Sequence, residues 1–198
     1  MQKNLTLIST LILLSSCSIL SPVVTPEVKE YQITTTNTDE ISCKTESNAA
    51  ILQVSPVRVF TPFDSRGMYY SVAQYQLSSY SLSQWAAMPS EMFNQAILQK
   101  LQKSCIYSDV SGSEFMVTAK YRLASQVMDF KQVIINGSSN MNLKVYTQLI
   151  DNTNNTVIKN KTFIETAAVE SSPAGYINGA NEVTNSFTND LVTWLSTK

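Results

Sequence analysis

The chain contains no histidine. That absence removes the commonest general base, the Ser-His and Cys-His nucleophile pairs, and most zinc sites. Charge is also sparse: Asp, Glu, Lys and Arg make up 15% of the 198 residues, and the formal net charge is −1. No long run of either sign occurs, whereas a nucleic-acid binder would carry a basic stripe, so nucleic acid is not an expected partner. Glycine is scarce, at five residues, and no Gly-rich phosphate loop forms among them. Cysteine is limited to Cys17, Cys43 and Cys105, which without histidine do not complete a tetrahedral metal set. No metal or cofactor is therefore expected. A chain of this length buries about 70% of its unfolded surface and folds without a metal or a dense disulfide framework.

No apolar run reaches the roughly 20 residues that a membrane-spanning helix requires. The longest, Leu5 to Leu14, follows Lys3 and precedes Ser15-Ser16-Cys17. A short positive start, a short apolar stretch and small residues have the layout of a cleaved export signal. The order Leu14-Ser15-Ser16-Cys17 resembles the bacterial lipobox, in which cleavage falls before a cysteine whose thiol accepts the lipid. Residues 1–16 are thus expected to be the signal and Cys17 the lipidated residue. Acyl chains on one residue anchor firmly, because each buried methylene contributes about 0.8 kcal/mol. Ser18 after the cysteine, by resemblance to Gram-negative lipoproteins, directs export to the outer membrane, facing the periplasm. Residues 17–30, with Pro22 and Pro26, read as an anchor and extended tether. Cys43 and Cys105 then form an even pair in an oxidising compartment, which favours a disulfide over two buried thiols. Closing that loop of about 60 residues would contribute roughly 4 kcal/mol in the chain-entropy model.

Residues 31–198 read as a single domain. Glu30 to Thr36 alternates like an opening strand, and Asn37 to Ala49 is loop-like. Ile51 to Phe60 is a second strand that Pro56 should place at an edge or a bulge. Met68 to Val72 and Gln74 to Ser81 are short strands. A helix begins between Ser83 and Pro89, with Phe93, Ile97 and Leu101 on one stripe. Ile106 to Val110 is a short strand. Glu114 to Ile135, Asn140 to Asp151 and Thr156 to Val169 form an antiparallel meander, its first turn marked by Asn136-Gly137. Pro173 to Leu195 closes the chain as an amphipathic helix. The fold class expected is α+β: a mostly antiparallel or mixed sheet with two main amphipathic helices on one face.

No catalytic constellation emerges, and the chain reads as non-enzymatic. Asp64 and Arg66 lie in turn sequence and cap it rather than form an acid–base pair; Glu165 and Glu170 fall on opposite faces of a strand. The distinctive stretch is Gly67 to Leu101, which concentrates Tyr69, Tyr70, Tyr75, Tyr80 and Trp85. It admits two readings: core packing, or a partner surface, since Tyr and Trp combine area with a polar handle. Trp85 is assigned to the core. Tyr69, Tyr70, Tyr80 and Met88 are the partner-binding candidates, with Tyr69 and Tyr70 dividing between core and surface.

Val54-Ser55-Pro56-Val57-Arg58-Val59, Pro62-Phe63-Asp64-Ser65-Arg66-Gly67-Met68-Tyr69-Tyr70, Leu77, Tyr80, Gln84-Trp85-Ala86 and Pro89 together resemble the ABC-type transport auxiliary lipoprotein family. The lipobox, Tyr31-Gln32 and the closing helix match in order. The resemblance implies a non-catalytic lipoprotein that works with an inner-membrane ABC transporter and a lipid-carrying MCE-domain protein. It would dock on or cap the far end of a conduit for lipid or another solute, and self-association into a homo-oligomer would be in keeping. The alternative is a structural outer-membrane lipoprotein that assists assembly of an envelope or surface complex.

Overall fold

The computed structural model describes residues 26–34 and 50–197. The signal segment, Cys17, the tether up to residue 25, the expected loop and Cys43 lie outside the described residues. In chain order the elements are β1 (Lys29–Tyr31), β2 (Ile51–Val54), β3 (Arg58–Val59), β4 (Gly67–Ser71), β5 (Ser78–Trp85), α1 (Pro89–Ser104), β6 (Asp109–Gly112), β7 (Tyr121–Ile135), β8 (Ser138–Asp151), β9 (Thr156–Ala168) and α2 (Pro173–Ser196).

The sheet is organised along β7. Its alternation buries Leu123, Ser125 and Val127 on one face. A bulge between Val127 and Asp129 shifts the phase by one, so that Phe130 and Gln132 continue on the buried side. On one flank β7 pairs antiparallel with β8, and β8 with β9, which is the expected meander. Asn136 and Gly137 both take positive φ, 52° and 80°, as a tight two-residue hairpin turn requires. On the other flank β2, β3 and β4 pair with β7 in succession, all parallel. They are three pieces of one segment running beside a single strand. Pro56 lies in the gap between the first two pieces. It cannot donate to a ladder, so it interrupts the expected Ile51–Phe60 strand. Ser55 and Phe60 keep the register on either side, donating to the carbonyls of Leu123 and Val127 at 2.9 Å each. Beyond this column, β6 pairs parallel with β2, β5 antiparallel with β4, and β1 parallel with β5. The expected α+β class is observed, with more parallel pairing than periodicity alone suggests.

Both helices pack on the same face and touch each other. Helix α1 starts at Pro89, where a missing N–H costs nothing. It buries Met92, Phe93, Ala96, Ile97 and Leu101. Helix α2 starts at Pro173 after Ser172, whose hydroxyl accepts from the Gly175 N–H at 3.0 Å. It buries Tyr176, Ala180, Val183, Phe187 and Leu191 over β8 and β9. Where α2 crosses β8 the backbones come close. A Cβ on Gly179 would lie 2.6 Å from Met141 Cβ and from Val169 Cγ1, well inside contact distance. Glycine is therefore required there for proximity, despite its cost in a helix. Replacing Gly179 by Ala should destabilise the domain by about 1–3 kcal/mol through overpacking, read from urea denaturation. An unchanged midpoint would show that α2 can lift away at no cost.

Candidate partner-binding surface

The segment from Thr61 to Trp85 is fixed by a small polar network. The Arg66 guanidinium donates through Nε to the Trp85 carbonyl at 2.7 Å and through Nη2 to Glu30. Gln84 Nε2 donates to the same Glu30 carboxylate at 2.9 Å. These contacts tie the turn before β4 to the end of β5 and to β1, whose Tyr31 carbonyl accepts from Ala86 at 2.7 Å. The Gln84 and Arg66 hydrogen bonds, then the Arg66 charge, hold Glu30 below the usual carboxylate range. Asp64 has a separate task. Its Oδ1 accepts from the Ser90 N–H at 3.2 Å, satisfying a first-turn donor of α1 that Met88, at the N-cap, cannot serve. Both residues are thus structural, as turn sequence implied, and Asp64 caps a helix twenty-odd residues away rather than its own turn.

The aromatic residues divide by face. Trp85 is fully buried; it stacks on Phe130 at 5.7 Å and meets Tyr176 at the same distance. Tyr80 lies five residues earlier, so in a regular strand it would point away from the core. The pairing of β4 with β5 is irregular between Gly67 and Tyr69, and this bulge turns Tyr80 back to the helical side. There its hydroxyl donates to Gln132 Oε1 at 2.8 Å and its ring meets Tyr70 at 4.7 Å and Tyr176 at 6.1 Å. Partial burial, then the neighbouring Tyr70, raises the Tyr80 pKa, so it remains a donor. Tyr69 alternates to the other face. It packs edge-on to Phe63 at 6.0 Å and its hydroxyl shares a 2.9 Å hydrogen bond with Ser65. Tyr69, Tyr70, Tyr80 and Met88 are all half-buried. Tyr70 and Tyr80 form one border of the core, and Tyr69 lies on the reverse face.

Sequence reasoning passed over the tip between β4 and β5. Val72, Tyr75 and Leu77 are exposed there, and Tyr75 is 98% exposed with φ of 65°. A tyrosine held out in the left-handed region is uncommon. The signal available was the four-tyrosine spacing, which gives no direction for any one ring. A second apolar tip, Phe115, Met116 and Val117, precedes β7 at the opposite end of the sheet. Among the described residues no group of His, Cys, Asp or Glu is placed to hold a metal, and no helix is long and apolar enough to cross a membrane.

The family model for the ABC-type transport auxiliary lipoprotein component matches residues 31–192. The chain belongs to that family. It is therefore an auxiliary lipoprotein of ABC-type transport, as the motifs between Val54 and Pro89 implied. Two solved structures share the fold at low identity. A protein from Xanthomonas campestris is 17% identical with a TM-score of 0.68, over 74% of this chain and 83% of that one. A hypothetical protein from Chlamydia trachomatis is 9% identical with a TM-score of 0.54, over 75% of this chain and 96% of that one. No curated protein matches. Arg66, within the stretch that carried the resemblance, forms an ion pair with Glu30 of β1.

That pair has a definite pH signature. Because the Glu30 pKa is lowered on folding, its contribution is complete at neutral pH and is lost as pH falls through the lowered value. Amide exchange at Ala86, which holds β1 onto β5, should therefore accelerate on acidification, and Glu30→Gln should flatten that response. Identical pH profiles in the two proteins would remove the pair from the account.

Proposed function

We propose that this auxiliary lipoprotein is a non-catalytic docking or capping component at the outer-membrane end of an intermembrane transport conduit. In this reading Cys17 carries the lipid, the domain faces the periplasm, and the conduit is an MCE-domain protein served by an inner-membrane ABC transporter. The observation that carries the reading is the family match across residues 31–192, together with the resemblance of Leu14-Ser15-Ser16-Cys17 to a lipobox. The contact surface proposed is the border formed by Tyr70 and Tyr80, with Met88, the Tyr75 tip and Tyr69 on the reverse face. Half-buried tyrosines held in a sheet, with the exposed Tyr75 beside them, supply contact area at small entropic cost, as interfaces favour. Among the described residues β9 pairs with β8 alone, and its other edge offers a route to self-association.

A disulfide between Cys43 and Cys105 fits this arrangement. Cys105 is an exposed C-cap residue of α1 with φ of 53°. Three residues later, Ser108 donates to the carbonyl of Ala50 at 3.2 Å, so the chain leading back to Cys43 begins beside the end of that helix. Seven residues reach about 23 Å when extended, ample for closure.

In-envelope crosslinking of the lipidated chain should recover MCE-domain and ABC components, and Cys17→Ala should lose both the membrane attachment and the crosslinks. Recovery of only a β-barrel or pilus component would replace this reading with an assembly role. Thiol titration of the mature domain should find reactive cysteine only after reduction; equal titres with and without reductant would reject the disulfide.

A further inference from the structure

At the end of the sheet where β7 begins, the described residues line an open, solvent-accessible cavity of about 500 Å³. Its walls are Ile106 and Tyr107 after α1, Tyr121 of β7, Leu149 of β8, Ile158 of β9 and Leu195 near the end of α2. The lining is predominantly carbon, and the volume is within the roughly 300–1,000 Å³ typical of small-ligand sites. Tyr107 and Tyr121 meet edge-to-face at 6.2 Å. Burial, then the neighbouring Tyr121, pushes the Tyr107 hydroxyl up to about 12, so it stays protonated at neutral pH.

One cation lines this cavity, Lys159. Its Nζ donates to the carbonyls of Trp194 and Thr197 at 2.7 and 2.6 Å, neutralising the C-terminal end of α2. An ammonium has three N–H groups; two go to these carbonyls, and the same Nζ lies 5.0 Å from the centroid of the Trp194 ring while lining the cavity. Its pKa is lowered by desolvation, a cost that an anion beside it would offset. Ile158 stands at the bulge in the β8–β9 pairing and is 48% exposed, so it forms a rim that tolerates change.

We propose that this cavity binds the hydrocarbon chain of a single-chain carboxylic lipid, with a carboxylate oxygen on Lys159 Nζ. The predominantly carbon walls favour burial of hydrocarbon, and the Lys159 ammonium at the site selects an oxyanion head group over an alcohol. The assignment does not rest on the transport partners proposed above, since it follows from the cavity lining alone.

The test uses the mature chain carrying Cys17→Ser, so that no anchor lipid competes. Titrated with cis-parinaric acid, whose fluorescence rises on entering an apolar site, the protein should show saturable binding at one site. Dodecanoic acid should displace the fluorophore about tenfold better than dodecan-1-ol. Lys159→Gln should erase that preference while leaving binding of the alcohol unchanged. Ile158→Trp, or Ser196→Trp if the first variant fails to fold, should fill the cavity and weaken binding by about tenfold or more, with an unchanged far-UV spectrum. Weaker displacement by lysophosphatidic acid of equal chain length than by dodecanoic acid supports a carboxylate head group, and equal or stronger displacement by this phosphate lipid would overturn it. Absence of saturable binding, equal affinity for acid and alcohol in the parent, or full binding by a folded, cavity-filled variant would overturn the proposal.

Discussion

The structure depends on one aromatic junction. Trp85 lies parallel to Phe130, with an interplanar angle of 15°; Phe93 of α1 meets Phe130 at 4.9 Å, and Tyr176 of α2 approaches both rings. The cluster therefore joins β5, β7 and both helices at one point. Large aromatic side chains bury the most area per residue, and such ring pairs contribute about 0.5–1.5 kcal/mol beyond area burial. The Arg66 network then acts on the outer side of the same residue by holding the Trp85 carbonyl. The Pro89 start of α1 follows within four residues, so the position of Trp85 sets where the helix enters the sheet. The family motifs cluster in this segment because it couples three layers of contact: ring packing inside, hydrogen bonding at the turn, and helix entry.

Much of this could be read from local pattern. The Phe93–Ile97–Leu101 stripe and the Asn136-Gly137 turn depend on spacings of a few residues, and both stand where expected. Trp85 was assignable to the core because a large aromatic beside a helix start has few other places to go. The parallel column along β7 was not legible. Its register joins Leu52 to Tyr121 and Tyr70 to Gln132, separations at which hydrophobic alternation carries no information. The bulge in β5 was hidden for a related reason. It changes which face a residue occupies without changing composition, so Tyr80 and Trp85 share a side that strict alternation denies them. The first two residues of β1 had the composition of tether, yet Lys29 and Glu30 are held by parallel pairing with Ser83 and Gln84.

The candidate surface was legible in content and not in direction. The sequence places four tyrosines within a dozen residues but cannot say which ring is spent inside. Burial of Tyr80 on Gln132 and exposure of Tyr75 follow from the bulge and from the left-handed backbone at the tip. Lys159 offers a parallel case. Alone it is one lysine in an edge strand; its significance comes from the end of α2, 35 residues later, closing over it.

The parallel column has a consequence for how the chain acquires its shape. The β7–β8 hairpin can close around a two-residue turn, and β9 can add to it, using only neighbouring sequence. The segment from Ile51 to Val59 has no such partner nearby: it is made long before the strand it must lie against. Whether synthesised or threaded across a membrane N-terminus first, it spends that interval with its backbone donors and acceptors unmatched. Closing loops of this length slows folding relative to local hairpins. Unmatched strand edges are also the ones that pair with the wrong neighbour. Pro56, by cutting this segment into short pieces, limits the length of edge available for such mispairing while leaving the register of the finished sheet intact.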